Sequence, residues 1–426
     1  MISVLVVFAV LLILGMPVAF AIGISGFVYF LQRPELPLTM PVQLVLSETQ
    51  NFALLAIPTF ILAGNLMNEA GVTNRLLRFA SVLTGHMHAG IAQASVVLST
   101  LMGGVCGSAI ADAAMEARIL GPAMVKRGYP RGFCAALEGF TGLITIAIPP
   151  SIGLVLYGSI GEVSIGRLFV GGIAPGLLLG LAYMTAISIY ARRRGFKPER
   201  PRPAPAREVG SALLGSLWAV LFPILLIVTL RFGLFVPSEV GAAAALYALL
   251  VGVVAYRELD WDRLKAAFRS STLDTGMIML LIAMSALISY GMKWEMLPQA
   301  LSASLLEVSA NPMVTVVIIA AFLFALGMVM DSTVMILLLT PILVPVMRQL
   351  GVDLVYFGVL MVITCAIGLL TPPVGLTMYS VCSIMECSIQ EYLRESWPFA
   401  LGLALVVVLM ILFPGIVTFL PNLLFG

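Results

Sequence analysis

The feature that most constrains this chain is a succession of apolar runs, each approaching the length of a bilayer crossing and nearly free of charge. Val4–Leu31, Ile173–Tyr190, Leu213–Leu230, Val236–Ala255, Thr315–Met330 and Ala400–Phe413 spread them from one end to the other. A hydrocarbon core about 30 Å thick is crossed by about 20 apolar helical residues. Of the 426 residues 61% are hydrophobic and only 10% charged, against about 25% charged in a soluble domain. Most of this surface therefore cannot face water. The runs are continuous Leu, Ile, Val, Ala, Met and Gly rather than alternating ten-residue segments, which excludes the pattern of an outer-membrane barrel. The expected fold class is an all-α polytopic membrane protein embedded in a lipid bilayer.

The opening stretch, Met1–Leu31, lacks the basic start and small-residue cleavage site of a secretory signal, and its apolar run is too long. It is expected to stay in the membrane. The cysteines Cys106, Cys134, Cys365, Cys382 and Cys387 form no CxxC pair and are expected to be buried thiols. A net charge of +2 gives no sign of a nucleic-acid partner.

One segment breaks the apolar pattern. Arg192, Arg193, Arg194, Lys197, Arg200, Arg202 and Arg207 fall within sixteen residues, mixed with Pro198, Pro201, Pro203 and Pro205. This proline-stiffened basic loop is expected in the cytoplasm. A second charged stretch, Arg257–Arg269, follows two further apolar runs and returns the chain to the same side. The basic loop, 192–210, separates a first part, 1–191, from a second, 211–426. Sliding the sequence against itself aligns the two at one ungapped offset of 223: Pro122 with Pro345, Gly128 with Gly351, Thr141 with Thr364, Pro149 with Pro372, Pro150 with Pro373 and Pro175 with Pro398. Two structural repeats are predicted, of the kind that transporters often invert about an axis in the membrane plane.

Ion-coupled transport needs backbone oxygen near the bilayer midplane, and an intact helix uses its own carbonyls. Four breaks are predicted. Gly103–Ser108 is matched by Gly327–Thr333, and Thr145–Ser151, with its Pro149-Pro150, by Leu370–Gly375, with Pro372-Pro373. Proline lacks an N–H and excludes helical geometry from the residue before it, so each doublet frees carbonyls that a sodium ion could accept. Hydroxyls beside the breaks add oxygens, and the candidate sodium ligands are Ser108, Thr141, Thr145, Asp331, Thr333, Thr364, Thr371 and Gly375. Sodium as a coupling ion is the one cofactor-like requirement expected. Charges at membrane depth are functional candidates: Asp112, Glu116, Arg118, Glu138 and Asp331. Asp112 and Glu116 share a helix face. Glu116 and Arg118 read equally well as interfacial, and Asp331 is the favoured functional residue.

His86 and His88 are two apart, and no acid or thiol cluster completes a metal site. The segment from Asn74 to His88 reads as amphipathic and interfacial. No Walker, GxSxG or HExxH motif occurs, so neither ATP hydrolysis nor an enzyme activity is expected.

"GSAIADAAMEARILGPAMVKRGYPRGF" (107–133), "IPPSIGLVLYG" (148–158), "SIGRLFVGGIAPGLLLG" (164–180) and "GLLTPPVGL" (368–376) resemble the large membrane subunit of tripartite ATP-independent periplasmic (TRAP) transporters. The likeness runs from "LGMPVAFAIG" (14–23) through "IPTFILAGNLM" (57–67) to the C-terminus. The resemblance implies an elevator transporter with re-entrant hairpins and broken helices, using a sodium gradient to import a small carboxylate. It implies as partners a small four-span membrane subunit and a periplasmic binding protein, and as location the bacterial inner membrane. Hairpin tips would fall at Gly107-Ser108 and Asp331-Ser332-Thr333. The substrate site is expected between the four breaks, at Gly107, Ser108, Asp112, Glu138, Pro149, Pro150, Ser332, Pro372 and Pro373. Glu116, Arg118, Glu138, Phe140 and Leu143 stand where relatives commonly carry small or neutral residues, which points to an unusual substrate. About eleven spans plus two hairpins are expected, with a stand-alone carboxylate symporter as the alternative.

Overall fold

The computed structural model describes residues 2–50, 52–105, 107–308 and 311–426. The described residues contain no strand, only helices joined by turns and one isolated bridge between His88 and Pro198. Inside hydrocarbon every backbone N–H and C=O must be paired within its own segment, and a helix does this.

The chain opens with α1 (Ile2–Ile13), α2 (Val18–Leu31), α3 (Met40–Thr49), α4 (Ala56–Glu69) and α5 (Val72–Thr84). It continues through α6 (Gly90–Met102), α7 (Ala109–Lys126), α8 (Arg131–Ala147), α9 (Ile152–Gly161) and α10 (Ile165–Arg194). Beyond the basic loop come α11 (Ala206–Arg231), α12 (Pro237–Leu250), α13 (Trp261–Trp294), α14 (Leu297–Val308) and α15 (Pro312–Gly327). The chain closes with α16 (Ser332–Gln349), α17 (Leu354–Ile367), α18 (Leu376–Met385), α19 (Ile389–Leu412) and α20 (Gly415–Phe425).

Among the described residues six helices are long and apolar enough to cross a membrane: α10, α11, α12 with its π-helical extension to Ala255, α13, α16 and α19. The pair α8 and α9, bent by 41° at its break, brings the number to seven if the two count as one span. The protein is a multi-pass membrane protein. Fewer uninterrupted spans occur than the eleven expected, because Gly and Pro cut the remaining apolar sequence into helices of 10–17 residues.

Val4–Leu31, expected as one span, is a clear correction. Gly15 takes a left-handed φ of +80° and Pro17 caps the start of α2, so the chain reverses between them. α1 and α2 fold back until the Ser3 hydroxyl donates to Gln32 Oε1 at 2.6 Å. Apolar content is blind to that reversal.

The charged stretch Arg257–Arg269 likewise belongs largely to a helix. Asp260 caps α13 by accepting from the Arg263 N–H at 2.9 Å. At 1.5 Å per residue α13 runs about 51 Å, well beyond a hydrocarbon core of about 30 Å. Its first turns, with Asp262, Arg263, Lys265 and Arg269, therefore fit outside that core. α5 matches its amphipathic reading: Leu76 and Ala80 are buried, while Arg75 pairs with Glu258 at 2.7 Å and lies over the Tyr256 ring. The basic loop is tied to the body, with the Arg200 N–H donating to the Gly85 carbonyl at 2.8 Å and Arg127 paired with Glu199. Cys134, Cys365 and Cys382 are buried free thiols and Cys387 is half-buried; Cys106 lies outside the described residues.

Candidate substrate and ion site

All four predicted breaks interrupt helices. α6 ends at Met102 and α7 begins at Ala109; α15 ends at Gly327 and α16 begins at Ser332. Residues 148–151 separate α8 from α9. A short 3-10 turn, Gly368–Leu370, and residues 371–375 separate α17 from α18. The Pro149-Pro150 and Pro372-Pro373 bonds are both cis.

The breaks pair backbone against backbone, which only glycine allows. A Cβ on Gly107, where φ is +66°, would lie 2.3 Å from the Pro150 carbonyl oxygen, and one on Gly103 would lie 2.8 Å from Ile148 Cβ. In the second assembly a Cβ on Gly327 would lie 2.8 Å from the Cys365 oxygen, and one on Gly368 only 1.9 Å from the Gly327 carbonyl carbon. The Val374 N–H also donates to the Met328 carbonyl at 3.1 Å.

Both 103–108 and 328–333 reach one cavity of about 120 Å³. Gly107, Ser108, Asp331, Ser332 and Thr333 line it, with Gly153 across from them. Its wall includes the first turns of three helices: Ala109 and Ile110 of α7, Ile152 and Gly153 of α9, and Ser332 and Thr333 of α16. Helix N-termini carry free N–H groups and partial positive charge, and they favour an anion such as a carboxylate. Asp331 adds a carboxylate of its own, held as the cap of α16 by the Thr333 N–H at 2.8 Å. The cavity therefore offers positive dipole ends together with hard oxygen ligands, which suits an anion bound beside a cation.

The other predicted residues are distributed around this point. Pro149 and Pro150 are buried behind the Gly107 contact, while Pro372 is half-buried and Pro373 exposed. Gly375 is the buried, left-handed cap of α18 and does not line the cavity. Thr145 turns its hydroxyl to the Gly142 carbonyl at 2.8 Å, and Thr371 turns its own to Gly368 at 3.3 Å. The Thr364 hydroxyl is buried without a partner among the described residues. Thr141 lies with its hydroxyl 3.2 Å from the Glu138 carbonyl and 3.3 Å from Glu116 Oε2, and it does not line the cavity.

Asp112 and Glu138 are buried but do not line the cavity. Glu116, read equally as interfacial, is fully buried, and Arg118 is exposed. Helix periodicity put Asp112 and Glu116 on one face; the packing of α6 and α8 against α7 puts that face inside. Ser95 and Ser99, which the sequence reading passed over, supply hydroxyls there. Their signal was a serine pair four apart within an apolar helix, which puts both on one face. A second cavity, about 250 Å³, also escaped that reading; it lies between α3, α9, α13 and α16 with Glu48, Glu162 and Lys293 on its walls.

Residues 5–416 match the family described as tripartite ATP-independent periplasmic transporter, DctM component. The chain is 32% identical to the 2,3-diketo-L-gulonate TRAP transporter large permease protein YiaN of Escherichia coli K12, over 95% of each chain. It is 33% identical to the sialic acid TRAP transporter large permease protein SiaM of Vibrio cholerae, over 98% of this chain and 97% of that one. To the C4-dicarboxylate TRAP transporter large permease protein DctM of Rhodobacter capsulatus it is 31% identical over 99% of each. The protein is thus a multi-helix transport permease rather than an enzyme, and it belongs to the DctM family of TRAP transporter large permeases. Members of this family work with a small membrane subunit and a periplasmic binding protein.

Proposed function

We propose that this chain is the substrate-translocating subunit of a sodium-coupled importer of a small organic acid in the bacterial inner membrane. The observation that carries the reading is the convergence of three helix N-termini, two hydroxyl-bearing breaks and Asp331 on one cavity. The N-termini of α7, α9 and α16 would hold the substrate carboxylate, with Gly107, Ser108 and Ser332 beside it. Asp331, Thr333 and the Ser108 hydroxyl would supply sodium ligands. The substrates printed in the names of relatives, a dicarboxylate, a sialic acid and a keto-gulonate, agree with an organic acid, and a periplasmic binding protein would deliver it.

The paired breaks and the 223-residue offset support two repeats, each giving one hairpin and one broken helix; an odd number of crossings in each would make them inverted. Packing supports an elevator movement: α7, α8 and α18 pack together and α16 packs on α9, while α2, α3 and α4 pack on α13 and α4 on α12. The first group would move with the cavity and the second would stay fixed in the bilayer.

The test is uptake of labelled carboxylates by vesicles holding this chain with its small subunit, with binding protein outside and an inward sodium gradient. Uptake is expected to need both sodium and binding protein, and to fall about tenfold or more in Asp331→Ala. Uptake without binding protein would favour the stand-alone symporter, and sodium-independent uptake would sink the ion assignment.

A further inference from the structure

Beside the cavity, but separate from it, lies a buried polar cluster that the proposed transport cycle does not use. Glu116 of α7 and Glu138 of α8 are both 0% exposed. Ser95 of α6 donates to Glu138 Oε2 at 2.7 Å and lies 3.4 Å from Glu116 Oε2, while Ser99 donates to Glu116 Oε2 at 2.7 Å. The two carboxyls thus converge on one hydroxyl, with an oxygen of each within 3.4 Å of Ser95 Oγ. The second oxygens, Glu116 Oε1 and Glu138 Oε1, are buried with no hydrogen-bond partner among the described residues.

A carboxylate only accepts hydrogen bonds and the Ser95 hydroxyl has one proton to donate, so two ionised carboxylates cannot both be satisfied there, whereas a proton on one of them removes the conflict. The surroundings supply no alternative positive charge, since no arginine or lysine is buried among the described residues. Asp112, one turn before Glu116, adds a further acid. Cys134 of α8, one turn before Glu138, brings a thiol, and Tyr183 of α10 and Tyr392 of α19, which lie against Phe140 and Gly139 of α8, bring phenols; Cys382 of α18, Cys365 of α17 and Tyr157 of α9 are buried on other helices packed against α8. Glu395 of α19 is already paired with Arg194 of α10 at 2.9 Å. Two ionised carboxylates converging on one hydroxyl at this depth would repel without compensation.

Packing does not call for acids here. The positions 223 residues after Ser95, Glu116 and Glu138 are Ile318, Leu339 and Met361, and Met361 is fully buried. An apolar filling thus serves the matching place in the second part of the chain.

We infer that Glu116 and Glu138 form a proton-binding site, in which one proton is shared between the two carboxyls and holds α7 against α8. Binding converts two carboxylates into one carboxylate and one carboxylic acid, with no electron transferred. Releasing the proton leaves two like charges that push the hairpin arm and the broken helix apart. Because both helices border the cavity, protonation is linked to uptake; that link, unlike the site itself, rests on the transport reading above.

The experiment is infrared difference spectroscopy of the chain with its small subunit in nanodiscs, titrated with acid and base, on the native protein and on Glu116→Gln, Glu138→Gln and the double variant. The native protein is expected to show a protonated-carboxyl band that vanishes at high pH, and the double variant to lack it. Either single variant decides the assignment if the double variant does not fold. In vesicles, native uptake is expected to fall about tenfold per pH unit once the pair has lost its proton, and the double variant to lose that slope. A native protein without the band, a band insensitive to pH, or the same band in the double variant would overturn the site. A band removed by sodium rather than by base would make it a metal-ion site instead. Absence of any native uptake would sink the transport reading while leaving the infrared result to decide the proton site.

Discussion

The two assemblies of break and Pro-Pro segment share their backbone contacts and differ in polarity. In each, glycine lets one break touch another: Gly107 on Pro150, and Gly327 on Gly368. Around the first lie buried Asp112, Glu116, Glu138, Ser95 and Ser99, and both of its prolines are buried. The positions 223 residues further on hold Met335, Leu339, Met361, Ile318 and Phe322, and the second doublet is half-buried at Pro372 and exposed at Pro373. The contrast separates two demands. Close backbone approach needs glycine in both places, whereas buried acids surround only the first and point to chemistry rather than packing.

The glycine contacts give the largest expected effects. In Gly368→Ala the new methyl would stand 1.9 Å from the Gly327 carbonyl carbon and 2.0 Å from its oxygen. Both are backbone atoms with no flexible end to yield, so the cost should exceed the about 1–3 kcal/mol usual for overpacking. Loss of folded protein is expected, read as yield and thermal melting in detergent. Gly107→Ala adds a methyl 2.3 Å from the Pro150 oxygen and forces a side chain into a left-handed conformation, which costs about 1–2 kcal/mol by itself. A lower melting temperature and an uptake loss of about tenfold, corresponding to about 1.4 kcal/mol, are expected. If Gly107→Ala behaved like a surface change, the two assemblies would not share one plan of contact.

A transplant tests the polarity difference. Glu116→Leu with Glu138→Met gives the first assembly the residues found 223 positions later. Replacing buried polar pairs by apolar residues of similar size is often neutral, or stabilising by about 1–4 kcal/mol. The double variant should therefore melt no lower than the native protein, while the pH response of its uptake disappears. A large drop in melting temperature would show instead that the acids are part of the packing.

Much of this was legible in the sequence, and the reasons for the rest are specific. The four breaks could be read because Gly-rich turns and Pro-Pro doublets cannot continue a helix whatever surrounds them. Asp331 and Ser108 could be placed at helix starts for the same reason. The fold-back of α1 on α2 was missed because Gly15 and Pro17 lie inside an unbroken apolar run, and hydropathy sees composition, not direction. The burial of Glu116 stayed open in the sequence because a helix face becomes inside or outside only through its tertiary neighbours. The charged stretch Arg257–Arg269 could be seen but not assigned to α13, because a helix longer than the membrane carries polar ends.

The smallest expected effects sharpen the comparison at its threonines. Thr145 spends its hydroxyl on the Gly142 carbonyl, whereas Thr364 holds a buried hydroxyl with no partner among the described residues. Valine has nearly the same shape. Thr145→Val should lose one local hydrogen bond, about 0.5–1.5 kcal/mol, and leave the sodium dependence of uptake as it was. Thr364→Val loses no protein hydrogen bond and relieves an unsatisfied buried group, so its melting temperature should hold or rise slightly. If the Thr364 hydroxyl instead serves a sodium ion during transport, the same substitution should raise the sodium concentration needed for half-maximal uptake while stability holds. Measuring melting and sodium dependence on both variants separates a hydroxyl that supports a helix from one kept for an ion. Equal, negligible shifts in both would confine the ion ligands to the cavity-lining Ser108, Asp331 and Thr333.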